Sequence, residues 1–593
     1  MTWSVADGLE LPAYFTKVER LTSAGETSCR VLGHGRQRDR GRIKTSSVSV
    51  ERKNTFLPWN GPPGANKPKL EVLKYFSHDW RALQQAVERE CLASSTHSAE
   101  VPELLVTPIL TSGESDNRVN LVFFSDGYTQ AEYDKFITDS TKLAWDIAGN
   151  TTFATVRPLL NIFAAFAPSN ESGIGMGDEQ KDTVFGLYRR GTELRGVYYG
   201  KPTVARAACD AVALTVGCDY PILLGNDARY GGLGGEFTVV TASQLNGPLV
   251  LRHELGHSII EVGEEYDGGY AYEGVSSAPD ISSPDTFKWN HWLSAPPVRA
   301  ERAFVSLMDY AWTMLNRTTA WATTFESSGT YNSHVVIFSL SGIPDASHLR
   351  VMLDGNDLGW APREAIGQDR WHYRLRNDEP LAAGTHEVKF ELLEPGVDGD
   401  VETGQGAQLC SVEIIEYGNS AEFNQTVGHV SAYPTSVAHA LGRSSFSITN
   451  ETTYRPTNEG CLMRLVTTEG LCSICIEGLW HSLLRRVDLI ESTVVAMPSG
   501  SDPLTIDIRL LKLAQLRQQD QDHLAAANHE AYIISWTRDG ISLDEFVNKT
   551  SISIPPKDAS GLYLVHVEFK TDEVRSDPKK LLTASRAVLV NIS

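Results

Sequence analysis

Two histidines and a glutamate stand in the spacing His253-Glu254-x-x-His257. In a helix, residues four apart share one face, so both imidazoles can reach a single metal ion. Neutral imidazole suits zinc, and a catalytic zinc site keeps one coordination position open for water. Glu254 lies beside that position and can take the proton of a metal-bound water as the water attacks a carbonyl. The spacing therefore predicts a zinc site with Glu254 as its general base.

A zinc site of this kind needs a third protein ligand, and the sequence offers two candidates. The tenth position after His253 holds Gly263 rather than a histidine, and Glu264 and Glu265 follow it directly. Glu264 lies on the helical face of the two histidines if the helix continues to that point. Glu265 is better placed if the helix ends at Gly263, since glycine is common just past a helix end. Both alternatives stay open here.

Further segments accompany the histidine motif in a fixed order. They are Arg118–Thr129, Ser169–Gly173, Tyr454–Pro456 and Cys461–Arg464. With the stretch from His253 to Tyr266, they resemble the IgA-peptidase family of zinc metallopeptidases, family sixty-four of the metallo class. The resemblance covers about residues 104–290 and 425–488.

This resemblance implies a zinc-dependent endopeptidase acting on protein or peptide substrates. It implies His253 and His257 as zinc ligands and Glu254 as general base. Glu264 takes the position of the family's Asp and is our predicted third ligand, with Glu265 as the alternative. The resemblance also suggests Met463 for a methionine-containing turn beneath the metal, as in metzincin-like enzymes, with ordinary core packing as its alternative. Tyr454 and Arg464 are candidates for holding the oxyanion or the substrate.

Strands and helices that could position this motif alternate from about residue 104 onward. Apolar runs predict buried strands, and helical spacing of apolar residues predicts one amphipathic helix between the first two strands. The predicted strands are Val119–Phe124, Asn161–Ala167, Pro221–Leu224 and Phe237–Val240, and the helix runs from Thr129 to Asp146. The glycines at 231–235 precede the last strand, which we predict to be an edge strand that could pair with an extended substrate.

Two blocks of short strands indicate all-β modules. We predict a multidomain α/β plus all-β chain with a zincin/metzincin-like catalytic domain over 104–329 and 419–490. A β-sandwich is inserted at 330–418, and an Ig-like β-sandwich follows at 491–593. The segment 1–103 reads as irregular and is a candidate pro-segment.

Charge and hydropathy exclude several classes of partner. The 593 residues carry a net charge of −21, which disfavours nucleic acid because phosphate contacts need basic patches. No apolar run approaches the ~18 residues of a membrane helix, so we expect no membrane span.

Cysteines and glycosylation sequons bear on where the protein functions. Cys209 and Cys218 flank a short loop, and Cys461 lies near Cys472-Ser-Ile-Cys475. The Cys-x-x-Cys pair fits half a zinc ribbon or a redox pair weakly, so we expect a disulfide near the active site. Seven sequons favour a secreted glycoprotein, at Asn150, Asn170, Asn316, Asn424, Asn450, Asn548 and Asn591. The first ten residues carry no secretion signal, so that signal is not used or the natural start differs.

Two other functions share these features. The chain could be a catalytically idle metallopeptidase-like domain that uses its β modules for binding or adhesion. The same chemistry would also serve a metal-dependent amidase that acts on cell-wall material. An intact Glu254 argues against the idle domain.

Overall fold

A computed structural model describes most of the chain. The described residues are 11–23, 26–39, 49–56, 69–77, 101–149, 152–260, 262–268, 274–283, 287–393, 406–442, 445–497 and 502–591. They form several separate β-sheets and a small number of helices. Among these residues, no helix is both long and apolar enough to cross a membrane.

The N-terminal residues form a four-stranded antiparallel sheet. Its strands are β1 (Leu11–Ser23), β2 (Glu26–Asp39), β3 (Ser49–Phe56) and β4 (Lys69–Ser77), in the order β2-β1-β4-β3. This differs from the irregular segment predicted over 1–103. The apolar residues Phe15, Val18 and Leu21 stand three apart, so this stretch lacks the period-two alternation that would indicate a strand when the sequence is read alone.

A mixed six-stranded sheet lies at the centre of the region that contains the histidine motif. The strands from this part of the chain are β5 (Leu105–Thr111), β6 (Val119–Asp126), β7 (Leu160–Phe166), β8 (Gly175–Met176), β9 (Leu187–Arg189), β10 (Tyr198–Tyr199), β11 (Tyr220–Gly225), β12 (Gly232–Leu233) and β13 (Thr238–Thr241). The sheet order is β12-β13-β11-β6-β7-β5, and β8, β9 and β10 form a small separate sheet. Strands β13, β11, β6 and β7 are parallel, whereas β12 and β5 pair antiparallel at the two edges.

Five helices of α type are described: α1 (Tyr133–Gly149), α2 (Pro202–Ala213), α3 (Asn246–Leu255), α4 (Ser473–Leu484) and α5 (Asp522–Ala527). Helix α1 matches the predicted amphipathic helix and buries Phe136, Leu143 and Ile147 against the sheet. It starts four residues later than predicted because Thr129 and Glu132 form a capping box on a short 3-10 turn in front of it.

Two facing sheets follow the histidine motif. Their strands are β14 (Ala303–Asp309), β15 (Thr313–Met314), β16 (Trp321–Ser328), β17 (Ser333–Ser341), β18 (Leu349–Leu353), β19 (Asn356–Asp357), β20 (Trp371–Asn377), β21 (Ala383–Leu392) and β22 (Gln408–Tyr417). One sheet has the order β14-β22-β17-β20, with β15 also on β22, and the other has β16-β21-β18-β19. Phe338 and Phe390 meet between the sheets in a core separate from that of the central sheet. These strands begin upstream of residue 330, the predicted start of the inserted module.

The remaining strands lie after residue 430. A hairpin of β23 (Tyr433–Gly442) and β24 (Ser445–Arg455) occupies sequence that we expected to be helical and loop-like. Two C-terminal sheets contain β25 (Ile490–Ala496), β26 (Leu504–Leu510), β27 (Ala531–Arg538), β28 (Ile541–Ser542), β29 (Ser551–Ile554), β30 (Gly561–Lys570) and β31 (Thr583–Val590). Their buried residues join the core of the central sheet and α4 in one continuous cluster.

Candidate metal centre

Helix α3 and the turn after it carry the histidine motif. His253 lies in α3, and His257 lies in a π-helical turn, Gly256–Ile260, that widens the end of the helix. Such π turns are frequent at functional sites. Helix α4 supports this turn from behind, because Gly478 lets it approach closely: a Cβ at that position would stand 2.8 Å from Cγ2 of Ile260.

Backbone carbonyls orient both imidazoles. Nδ1 of His253 lies 3.0 Å from the carbonyl oxygen of Leu462, and Nδ1 of His257 lies 2.9 Å from that of Val262. A carbonyl can only accept, so each Nδ1 must donate, and in the neutral imidazole Nε2 is then the atom whose lone pair can bind a metal. This second hydrogen bond is the usual support for a metal-binding histidine.

Glu264 completes a compact triangle of donor atoms. The two Nε2 atoms lie 3.2 Å apart, and the Glu264 carboxylate lies 3.1 Å from Nε2 of His257 and 3.3 Å from that of His253. Zinc bonds of about 2.0–2.1 Å in a tetrahedron require ligand atoms roughly 3.4 Å apart. The three donors therefore fit one face of a zinc tetrahedron. The structure brings them together, although Glu264 follows the end of the helical turns instead of continuing them.

The electrostatics of the site couple these three residues. Burial disfavours the charged form of Glu264, but the imidazoles of His257 and His253 hold the pKa of its carboxyl well below the usual range. Burial alone would lower the pKa of His257, yet the charges of Glu264 and Glu254 raise it to about 9. Without a metal, the pocket thus holds protons where a cation would bind.

Glu254 faces the glycine-rich stretch that forms edge strand β12. A Cβ on Gly232 would lie 3.1 Å from Oε1 of Glu254, and one on Gly234 would lie 2.9 Å from its Oε2. Side chains at these positions would push the carboxylate aside. Burial raises the pKa of Glu254, with the two imidazoles opposing and the charge of Glu264 adding to the rise. A raised carboxyl pKa suits proton transfer near neutral pH.

The predicted edge strand is not at the edge. Phe237–Val240 corresponds to β13, which lies inside the sheet because the glycines themselves add the short strand β12. The outer side of Gly232 is also hydrogen-bonded, since its amide donates to the backbone carbonyl of Arg195 and its carbonyl accepts from the backbone amide of Val197. Strand β13 therefore has a partner strand on each side, and the outer side of β12 is bonded at Gly232.

Glu265, the alternative third ligand, points to a different place. Its side chain is buried beside the thiols of Cys461, Cys472 and Cys475. Its backbone amide donates to the carbonyl of Met463 at 3.1 Å. Glu264 and Glu265 therefore belong to two separate groups of possible metal ligands.

The turn at 461–464 underlies the histidine helix. Met463 is fully buried, and its Sδ would lie 2.9 Å from a Cβ on Gly256, between the two histidines in sequence. Arg464 is buried as well, and its guanidinium is 2.7 Å from the Asp267 carboxylate. A guanidinium engaged in this way is not available to a substrate, so the structure gives Arg464 a structural role instead of the expected contact. Tyr454 is held by backbone pairing with Ala278.

Two residues near the site, Tyr230 and His372 of strand β20, carry no signal in the sequence. Burial raises the pKa of Tyr230 to about 12, and the charges of Glu254 and Glu264 add to this rise. The phenol of Tyr230 therefore stays protonated. The Tyr230 ring lies 6.0 Å from that of His372, whose pKa is lowered by burial, Arg370 and His253. Both residues are far from the motif in sequence, and no local pattern marks them.

The disulfide lies elsewhere than expected. Cys209 and Cys218 are joined, which closes the short loop after α2. Cys461, Cys472 and Cys475 are free thiols in the described part of the chain, so the expectation of a disulfide beside the active site is wrong.

A family comparison agrees with this geometry. Residues 107–298 match the family model of IgA Peptidase M64. The matched range contains His253, Glu254, His257 and Glu264, so the resemblance inferred from the sequence is confirmed there and a metallopeptidase relationship follows. The second predicted segment of resemblance, at about 425–488, lies outside the match. No curated protein matches the chain.

Solved structures give weaker likenesses. An FMN-binding beta-glucuronidase from Facaelibacterium prausnitzii L2-6 is 14% identical, with a TM-score of 0.13 over 44% of this chain and 32% of that one. A GH2 beta-galacturonidase from Eisenbergiella tayi is 9% identical, with a TM-score of 0.09 over 47% and 42%. A cycloisomaltooligosaccharide glucanotransferase from Paenibacillus sp. is 9% identical, with a TM-score of 0.13 over 98% and 94%. These TM-scores carry no argument about fold or function.

Proposed function

We propose that this protein is a zinc-dependent endopeptidase that hydrolyses peptide bonds of protein substrates. The observation that carries the proposal is the triangle of His253, His257 and Glu264 donors, with edges of 3.1–3.3 Å, beside the carboxylate of Glu254. Its size suits zinc, and its chemistry of two neutral imidazoles and one carboxylate is that of a catalytic zinc site. The family match over the same residues supports it.

Zinc in this triangle would supply a Lewis acid that polarises the scissile carbonyl and lowers the pKa of a water. Glu254 takes the proton of the attacking water and then delivers it to the amine that leaves. Its raised pKa favours that return step. Tyr230, which stays protonated, is suited to donate a hydrogen bond to the oxyanion that develops on the carbonyl.

The modules around the site fit the same proposal. We assign residues 104–302 and 419–490 to a zincin-like catalytic domain. The insertion is assigned to a β-sandwich that begins with β14 at Ala303, upstream of the start predicted at 330, and 491–593 to an Ig-like sandwich. Exposed sequon asparagines at 170, 316 and 548, together with the Cys209–Cys218 disulfide, support a secreted glycoprotein.

Replacement of Glu254 tests the mechanism. We expect Glu254→Gln to keep its zinc, because Glu254 is not a ligand, and to lower kcat/KM on a denatured protein substrate by roughly 10²–10⁴-fold. Zinc content by elemental mass spectrometry and casein cleavage, each with and without chelator, provide the readouts. The control is Glu364→Gln, which changes an exposed glutamate and should leave both unchanged.

Two results would count against the proposal. Full activity of Glu254→Gln would remove Glu254 from the mechanism. A zinc-loaded wild-type protein that cleaves nothing in broad peptide libraries would favour the idle binding domain instead.

A further inference from the structure

Four buried side chains converge one residue beyond Glu264. They are the carboxyl of Glu265 and the thiols of Cys461, Cys472 and Cys475, whose ligand atoms all lie within 4.8 Å of one another. We propose that this cluster is a second, structural zinc site, separate from the histidine site, with these four side chains as its ligands. Closed four-ligand sites rich in cysteine are typical of structural zinc.

The distances in the cluster match a zinc tetrahedron. Sγ of Cys461 lies 3.9 Å from Sγ of Cys475, and the latter lies 3.8 Å from Oε1 of Glu265. Zinc–sulfur bonds of about 2.3 Å place two tetrahedral sulfurs roughly 3.8 Å apart, and a sulfur and an oxygen roughly 3.6 Å apart. A cation can therefore enter with small adjustments of the side chains.

Among the described residues, one oxygen of the Glu265 carboxyl lacks the partner that its burial demands, whereas the other accepts from the Cys475 thiol at 3.8 Å. The residue is 2% exposed, and within the described parts of the chain its Oε2 has no hydrogen-bond partner. A buried polar group without a partner is costly, and a carboxylate more so. A divalent cation bound by Glu265 and the thiols would remove that cost.

Two buried arginines provide positive charge near the cluster. Zinc with three thiolates and one carboxylate carries a net charge of about −2, which the interior must compensate. Arg455 and Arg464 are buried, and both act electrostatically on Glu265. Arg464 is paired with Asp267, but the hydrogen bonds described for Arg455 go to neutral groups on Pro434, Thr435 and Asn458.

A disulfide explains the cluster less well. Three thiols are an odd number, so one bond would leave the third thiol and Glu265 buried without a function. The described sulfurs are also apart, at 3.9 Å for Cys461 and Cys475 against about 2.05 Å in a disulfide. A metal employs all four groups at once.

The proposed site would fix two supports of the histidine site, and this part of the inference rests on the proposed function. Glu265 directly follows the third ligand Glu264. Cys461 directly precedes Leu462, whose carbonyl accepts from Nδ1 of His253 at 3.0 Å. A zinc ion between Glu265 and Cys461 therefore ties together both segments that shape the catalytic centre.

Metal counting separates the two sites. We expect about two zinc ions per chain in the wild-type protein and about one in His257→Ala, which removes a ligand of the histidine site alone. One zinc in both proteins would refute the proposed function but keep the cysteine site. One zinc in the wild type and none in His257→Ala would overturn the inference.

Cobalt identifies the ligands without any activity measurement. We expect Co²⁺-loaded His257→Ala to show thiolate-to-cobalt charge-transfer absorption, which Cys472→Ser in the same background should lose. Cys410→Ser is the control, because Cys410 is a buried free thiol in the inserted sheets, and it should keep the band. If Cys472→Ser does not fold, the band in His257→Ala decides alone.

Absence of that band in folded, cobalt-loaded His257→Ala would overturn the inference. Peptide mapping after denaturation without reductant provides a second test, because it shows whether the three cysteines are thiols or form a disulfide. All three cysteines should alkylate once a chelator is added, whereas a disulfide among them would refute the site.

Discussion

Two consecutive glutamates have different surroundings in this molecule, because their side chains belong to two separate groups of possible metal ligands. Glu264 faces the histidines, and Glu265 faces three cysteines about two hundred residues away in sequence. In the sequence, these two residues are rivals for one metal, and helix geometry leaves both open. Only the family resemblance favours Glu264, which reaches the histidines from irregular chain after the turn Gly256–Ile260.

Paired substitutions at these two glutamates test the division. We expect Glu264→Gln to weaken zinc binding at the histidine site by more than about 100-fold, because it removes a ligand, whereas supporting groups are worth roughly 10–100-fold. Glu265→Gln is the matched control and should weaken that site by no more than a supporting group does. Zinc titration against a chromophoric chelator measures both. Equal losses in the two variants would contradict the assignment.

At the scale of elements, apolar patterns predicted the strands well. The runs at 119–124, 161–167, 221–224 and 237–240 correspond to β6, β7, β11 and β13, and all positions of β6 and β7 are buried. The pattern works because a buried strand must be apolar along its length. It could not reveal β12, since two glycine-flanked residues carry no such signal, nor the cysteine cluster, since long-range contacts leave no local period.

The glycine that directly follows β12, Gly234, gives a prediction on catalysis. Gly234→Ala would place a Cβ 2.9 Å from Oε2 of Glu254 and 3.0 Å from Cβ of His257. We expect the displaced carboxylate to lower kcat by up to about 100-fold, the effect of a misplacement near 1 Å, while zinc content stays unchanged. Gly191→Ala is the control, because a Cβ there meets nothing within 4 Å. Similar kinetics for the two variants would show that the close approach is unimportant.

At the scale of the whole molecule, the C-terminal sheets belong to the same core as the central sheet. Buried residues from Leu110 to Val590 form one continuous cluster, whereas the two facing sheets of β14–β22 have a core of their own. The sequence predicted the two β modules as separate blocks. It could not indicate which module shares a core with the central sheet, because that depends on sheet and helix faces that meet only after folding. The C-terminal sheets and the central sheet therefore share one buried core.

A buried ion pair at this junction provides the last prediction. Arg517 and Glu530 have fully buried side chains, and Arg517 also donates to the carbonyl of Thr155 in the catalytic region at 2.7 Å. Arg517→Ala would leave Glu530 buried without its cation, so we expect the free energy of unfolding to fall by about 3–5 kcal/mol. Urea denaturation of the metal-loaded protein measures it.

The exposed pair of Lys570 and Glu568 provides the control for that measurement. Lys570→Ala should change the unfolding free energy by no more than about 0.5 kcal/mol. Because the core is continuous across the junction, we expect Arg517→Ala to shift the unfolding of the central-sheet region and of the C-terminal sheets together. Loss of cleavage monitors the first region, and a fluorophore attached to the C-terminal sheets monitors the second. Two separate transitions, or a shift no larger than that of the control, would mean that the junction does not couple the two regions.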